Sequence, residues 1–252
     1  PVSQSSYFDV IIFAFPFDLF CCIFLPFCMP NIPSLSKGRC PKGEEGFFVM
    51  RVRKLANPFN FRKDFPVLQL ENIFSRPEQP LQLEIGFAYG EFILEMAKKH
   101  LEINFIGMEV REPLVEKLQR EILTQKRTNL VAIYASSNVN LSIIPDKSID
   151  HVYIFFPDPW FNTKHHKRRI ITPRFLDELQ PKLKNGSTLL FQTDVETLYQ
   201  DTRKIIHSSP YWILEEHANV HTLNATGVAS YFEDRCLRRG WPIYRLLISG
   251  NK

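Results

Sequence analysis

Cysteine almost disappears from this chain beyond residue 40. Cys21, Cys22, Cys28 and Cys40 precede Met50, and Cys236 is the only cysteine after it. A body with a single cysteine has no disulfide framework and reads as cytoplasmic. The four clustered cysteines match no zinc spacing, so no metal is expected. Positive charge is missing ahead of the apolar run from Tyr7 to Met29, and Asp9, Pro16, Asp18 and Pro26 interrupt the run itself. That disfavours both a signal peptide and a membrane span. Glycine is short where a dinucleotide site would need it. The turn from Gly86 to Gly90 holds two glycines, whereas the pyrophosphate fingerprint uses three. No internal repeat or low-complexity tract is visible.

What is present divides at about Met50. Residues 1–49 carry nine of the 22 phenylalanines and do not read as a folded domain. They are expected to be upstream sequence translated from a misplaced start, or an artefact, with a membrane-proximal anchor as the runner-up. Residues 50–80 read as a basic arm and linker, with Arg51, Arg53, Lys54, Arg62 and Lys63 around Asn57, Pro58 and Phe59, then an amphipathic turn at Leu68, Leu70 and Ile73. Residues 1–49 hold three basic and four acidic residues and the remainder holds 28 and 23, a surplus that permits a polyanionic partner without requiring one.

From Leu81 the hydrophobic period alternates between strand and helix. Strands are expected at 81–85, 104–109, 130–134, 149–156 and 188–191, with helices at 91–99, 113–126, 175–183 and from Asp194 to about His207. Asn185 and Gly186 close the third helix and Asp194 caps the fourth in this reading. Residues 211–217 and 242–248 form a final antiparallel pair with no helix between them. The fold class is α/β: a doubly wound, mostly parallel sheet of seven strands with an antiparallel C-terminal strand. Residues 81–252 form its one domain.

Residues 149–170 carry the chemistry. The run Ile149 to Phe156 is a strand buried on both faces, and Pro157 and Pro159 stop it, holding Asp158 just beyond the strand's carboxyl end. That edge is where open α/β sheets bind ligands. Lys164, Lys167, Arg168 and Arg169 follow, interleaved with His165 and His166, and form a phosphate-binding patch; Arg235, Arg238 and Arg239 could extend it. At the first turn, Glu84 precedes Gly86, and a carboxylate there repels phosphate and attracts a cation. Glu109 ends the second strand, where an acid accepts ribose hydroxyl protons. The pair favours S-adenosyl-L-methionine, which has no phosphate and carries an ammonium and a sulfonium. Ser136, Ser137 or Asn138, after the third strand, could bond adenine.

Leu83 to Gly86, Gly107 to Arg111, Phe156 to Trp160, His165 to Arg169, Thr193-Asp194 and Tyr231 to Arg235 together resemble the bacterial TrmB family. These are class I tRNA (guanine-N7)-methyltransferases acting on a variable-loop guanosine. The resemblance runs from about Leu81 to the C-terminus. It implies that Glu84, Glu109 and Asp158 line the cofactor site, which Gly86 of the turn and Asn138, matched to within one residue in Ser136 to Asn138, complete in this reading. It further implies that Asn162, Lys164, Lys167, Arg168, Arg169, Asp194, Ser230, Tyr231, Phe232 and Glu233 meet the substrate. Asn162 stands where the family has lysine, and Ser230 where it has threonine. Asp158 is the expected catalytic acid, with Asp194 and Glu233 accepting the guanine N1 and N2 protons. The expected partner is tRNA and not DNA, residues 50–252 meet no membrane, and the chain is a monomer with room for a partner subunit. An RNA exocyclic-amine methyltransferase and a non-catalytic RNA-binding scaffold with a decayed cofactor pocket are the alternatives.

Overall fold

The computed structural model describes residues 57–61 and 65–250. The expected extension at residues 1–49 and the arm cations Arg51, Arg53, Lys54, Arg62 and Lys63 lie outside them. In chain order the elements are α1 (Leu70–Ile73), β1 (Leu81–Ile85), α2 (Glu91–Lys99), β2 (Asn104–Glu109), α3 (Glu112–Thr124), β3 (Leu130–Tyr134), α4 (Ser137–Asn140), β4 (Ile149–Phe155), α5 (Pro173–Leu179), β5 (Leu183–Thr193), α6 (Glu196–His207), β6 (Trp212–Val220), α7 (Tyr231–Arg239) and β7 (Ile243–Ser249).

The strands make one seven-stranded sheet in the order β3-β2-β1-β4-β5-β7-β6, parallel throughout except where β7 pairs antiparallel with β5 and β6. Alternate residues of the central strands feed two cores, one on each face. Leu83, Ile85, Met108 and Ile154 join Phe175, Leu176, Leu198 and Tyr199 from α5 and α6. Phe105, Tyr153 and Phe155 join Phe92, Ile93, Val115 and Leu118 from α2 and α3. Burial on both sides is why these strands read as continuous apolar runs. The chain leaves β1 toward β2 and β3, then crosses back to β4. The carboxyl ends of β1 and β4 therefore flank a topological switch point, the usual ligand position in such sheets.

Three local expectations are corrected. A helix, α7, lies between β6 and β7. Its Ser230 side chain accepts the Glu233 amide while the Glu233 side chain accepts the Ser230 amide, and Gly240 ends it at φ 62°. Asp194 is not the cap of α6; Val195 occupies that position and no side chain caps it. Asn185 and Gly186 do not close a helix. They lie in an excursion of β5, since Ile149 pairs with Leu183 while His151, two residues on, pairs with Thr188. Gly186, at φ 77°, makes the turn that excursion needs. No helix among the described residues is long and apolar enough to cross a membrane.

Candidate cofactor and base site

The turn after β1 packs more closely than its composition suggests. Gly90 lies at φ 77°, and a Cβ there would meet the Leu118 methyls at 2.9 Å, so this glycine lets α2 sit against α3. Ala88 takes φ 53° with a side chain in place, and its amide donates to Glu109 Oε2 at 3.0 Å. Beneath the turn Glu84 is 2% exposed, and its Oε2 has no hydrogen-bond partner. Burial first, then the charge of Glu109, push its carboxyl up to about 8. A cleft opens above, lined among others by Glu84, Gly86, Ala88, Phe155, Ser230 and Tyr231. An unpartnered buried carboxylate oxygen bordering a cleft fits a group that brings a cation there.

Glu109 ends β2 with both oxygens engaged, by the amides of Ala88, Val110 and Arg111 and by the Arg111 guanidinium. Across the switch point, Asp158 is exposed between two prolines. Phe156 at φ 49° and Trp160 at φ 44° bracket it in the left-handed region, and the Phe156 amide donates to Gln192 O at 2.7 Å. A 3-10 turn over Thr163–Arg168 follows, in which the Asn162 side chain accepts the Lys164 amide at 3.0 Å. Lys164 and Lys167 are exposed, while the Arg168 guanidinium lies 5.0 Å over the Trp160 ring. Trp160 is thereby packed under the basic turn.

Several expected site residues stand elsewhere. Arg169, expected among the phosphate contacts, is 7% exposed and bonds Pro159 O, Asp201 and His166. The Asn138 amide donates to Arg169 O at 3.2 Å, so that donor faces the backbone instead of a base. Of the residues after β3, Ser136 holds the buried hydroxyl with no partner. Glu233, expected as a guanine acceptor, is fully buried. Its Oε1 takes Arg245 Nη2 and the Asn224 amide, both at 2.8 Å, and its Oε2 takes the Asn224 side chain. Asp194 remains half-buried, its carboxyl raised by burial with Arg235 opposing. Tyr231 is exposed and meets the ring of Tyr89 at 4.7 Å, and Phe232 lies 6.2 Å from Phe156.

The family model described as "Putative methyltransferase" matches residues 78–246. A tRNA (guanine-N(7)-)-methyltransferase of Thermosynechococcus vestitus is 42% identical over 58% of this chain and 70% of that relative. Proteins of the same name from a Synechococcus and from Trichormus variabilis are each 33% identical, over 77% and 79% of this chain and 84% and 95% of theirs. The chain belongs to the tRNA (guanine-N7)-methyltransferase family, the TrmB family. Among solved structures, the 16S rRNA methyltransferase KamB aligns with a TM-score of 0.54 at 11% identity, covering 71% of this chain and 90% of that one. The antibiotic-resistance methyltransferase Kmr aligns at 0.50 and 13%, covering 69% and 87%. Both likenesses show the class I methyltransferase sheet and nothing finer.

Within this TrmB-family site, sequence reasoning missed Arg111, Tyr89 and Arg245. Arg111 stands two residues after Glu109, and an arginine placed so soon after a strand-end acid is the signal for the ion pair. Tyr89 and Arg245 carry no comparable signal, because their partners are 142 and 12 residues away in sequence.

Proposed function

We propose that this chain transfers the methyl group of S-adenosyl-L-methionine to N7 of a variable-loop guanosine in tRNA, as a cytoplasmic monomer whose methyltransferase domain is residues 81–252. The observation that carries this reading is the orphaned Glu84 Oε2 bordering a cleft at the carboxyl end of β1, with Asp158 following the neighbouring β4. Glu84 holds the cofactor's ammonium, Gly86 lets the backbone approach, Glu109 with its five donors fixes the ribose edge, and Ser136 offers a hydroxyl to the base. When bound, the cofactor supplies an electrophilic methyl on a sulfonium.

Guanine N7 has a free lone pair and no proton, so no side chain needs to act as a base. What the chain supplies is placement, which can contribute ~7–11 kcal/mol in well-oriented systems. Positive charge moves onto the purine during transfer, and Asp158, exposed at the cleft side of the sheet, stabilises it there. Asp194 accepts a hydrogen bond from the guanine edge. Burial makes its ionised form costlier and so its hydrogen bond stronger. Reading that edge requires the base to leave its stack. Lys164 and Lys167 hold phosphates on either side, and Tyr231 offers the flipped base a ring.

Incubation with labelled S-adenosyl-L-methionine and unmodified tRNA, followed by nucleoside analysis, tests the reading. Label in 7-methylguanosine supports it; label in an N2-methylated base, or none, overturns it.

A further inference from the structure

We propose that Arg169 is a positioning residue, the buckle that holds the Pro157–Pro159 loop and its Asp158 in register with the cleft. This rests on the reading that Asp158 faces the reacting base. In sequence Arg169 is the last member of a basic run, and its neighbours Lys164 and Lys167 are exposed. In the fold it points the other way. Its Nε donates to Pro159 O at 2.8 Å, Nη1 to Asp201 Oδ2 on α6 at 2.9 Å, and Nη2 lies 3.0 Å from His166 Nε2, which must therefore accept. Its own carbonyl accepts the Asn138 side chain, from α4 beyond β3, at 3.2 Å. Each guanidinium nitrogen already has a protein partner. A phosphate would have to displace one of them, and only 9% of the side chain is exposed.

The loop needs such a clamp. Phe156 and Trp160 both hold positive φ without being glycine, a conformation that strains a residue carrying a Cβ. Strain of that kind persists only where the surroundings over-determine it. On the strand side the Phe156 amide is tied to Gln192 O at 2.7 Å. On the far side Pro157 and Pro159 have no amide to give. The Pro159 carbonyl is an anchor on that side, and Arg169 takes it. Asp158 sits between the two ties. Asp201, which orients Arg169, lies on α6, so the contacts run from α6 through Arg169 to the carbonyl of Pro159, the residue after Asp158.

The test is to compare R169K and D201N with the parent chain by steady-state kinetics, by the salt dependence of tRNA binding, and by hydrogen exchange at the amides of Phe156, Asp158 and Trp160. The lysine variant keeps the charge and one bond but cannot span Pro159 and Asp201 together. D201N keeps Arg169 and removes the charge that aims it. The expected result is a fall in kcat approaching a hundredfold, the scale of a 1 Å misplacement, in R169K and a smaller fall in D201N. KM for tRNA and the salt slope should stay unchanged, with faster exchange at all three amides. A raised KM with a shallower salt slope and parental exchange would make Arg169 a phosphate contact and overturn the proposal, as would parental kcat and exchange in both variants. If the parent chain makes no 7-methylguanosine, the proposed function fails on its own. The exchange measurement then still decides the buckle: parental protection in R169K would overturn it.

Discussion

Arg111 folds back onto Glu109 from two residues along the chain, with Nε donating to Oε1 at 3.0 Å and Nη2 to Oε2 at 2.8 Å. The same guanidinium answers to Asp158. Burial works against its charge, and the bonds and charge of Glu109, then the charge of Asp158, more than offset that. One arginine thus pairs with the acid that ends β2 and lies in the field of the acid that follows β4. Among the described residues no cation pairs with Glu84, which sits between their strands with one oxygen unpartnered. The site is a set of three acids in which two share a counter-charge and the third awaits one.

Glu84 should make both stability and cofactor affinity depend on pH. Its carboxyl is raised from 4.5 to about 8 by burial and by Glu109. Between those values the folded chain holds a proton that the unfolded chain has released. Stability from this group is therefore full below 4.5 and is lost as pH rises through about 8. Glu84→Gln should flatten that dependence and melt above the parent near pH 8 by calorimetry. The amide has no charge for the cofactor's ammonium, so the same variant should bind S-adenosyl-L-methionine more weakly by titration. In the parent, affinity should climb as pH approaches about 8 and Glu84 ionises more easily.

Lys164 and Lys167 are the exposed cations of the basic turn, and they should act through phosphate alone. Lys164→Gln and Lys167→Gln should each weaken tRNA binding about equally across sequences. Each should lower the slope of log affinity against log salt by about one unit, measured by filter binding at several ionic strengths.

Glu233 and Arg245 pair at 2.8 Å with both side chains under 10% exposed. Breaking such a pair from one side leaves a buried charge and costs about 3–5 kcal/mol. Glu233→Ala and Arg245→Met should each lose about that much in urea unfolding. An apolar double replacement of similar volume should recover most of the loss. A Glu233→Ala variant of parental stability with selectively raised KM for tRNA would instead restore Glu233 as a substrate contact.

The contrast between Glu84 and Glu233 shows how far the residues alone could be read. The central strands were legible because burial on both faces leaves near-continuous apolar runs, whereas Glu84 alone reads as an ordinary strand-end charge, and only its pairing with Glu109 on the next strand singles it out. Helix α7 was hidden by its charge, since few of its residues point into the core. The spacing of Ser230 and Glu233 was its one readable sign. Arg169 could not be told from Lys167 by type or neighbourhood. What separates them is a carbonyl ten residues back and an aspartate 32 residues on, and only the fold brings those together. Asn185 and Gly186 look like a helix stop because turn chemistry is the same in a strand excursion as at a helix end.

Ala88 holds φ 53° where the turn would suit glycine. The left-handed conformation costs an alanine ~1–2 kcal/mol, and glycine's extra freedom in the unfolded chain returns ~0.4–1 kcal/mol of that. Ala88→Gly should therefore stabilise the chain by ~0–1.6 kcal/mol in urea titration, while its amide keeps the bond to Glu109.

Borohydride reduction followed by aniline scission cuts an RNA chain at 7-methylguanosine, which makes it the most direct test of the central claim. A tRNA transcript treated with the chain and S-adenosyl-L-methionine should be cut once, in the variable loop, and the cut should nearly vanish with Asp158→Ala at unchanged fold. An uncut transcript, a cut elsewhere, or an undiminished cut with Asp158→Ala would contradict the account.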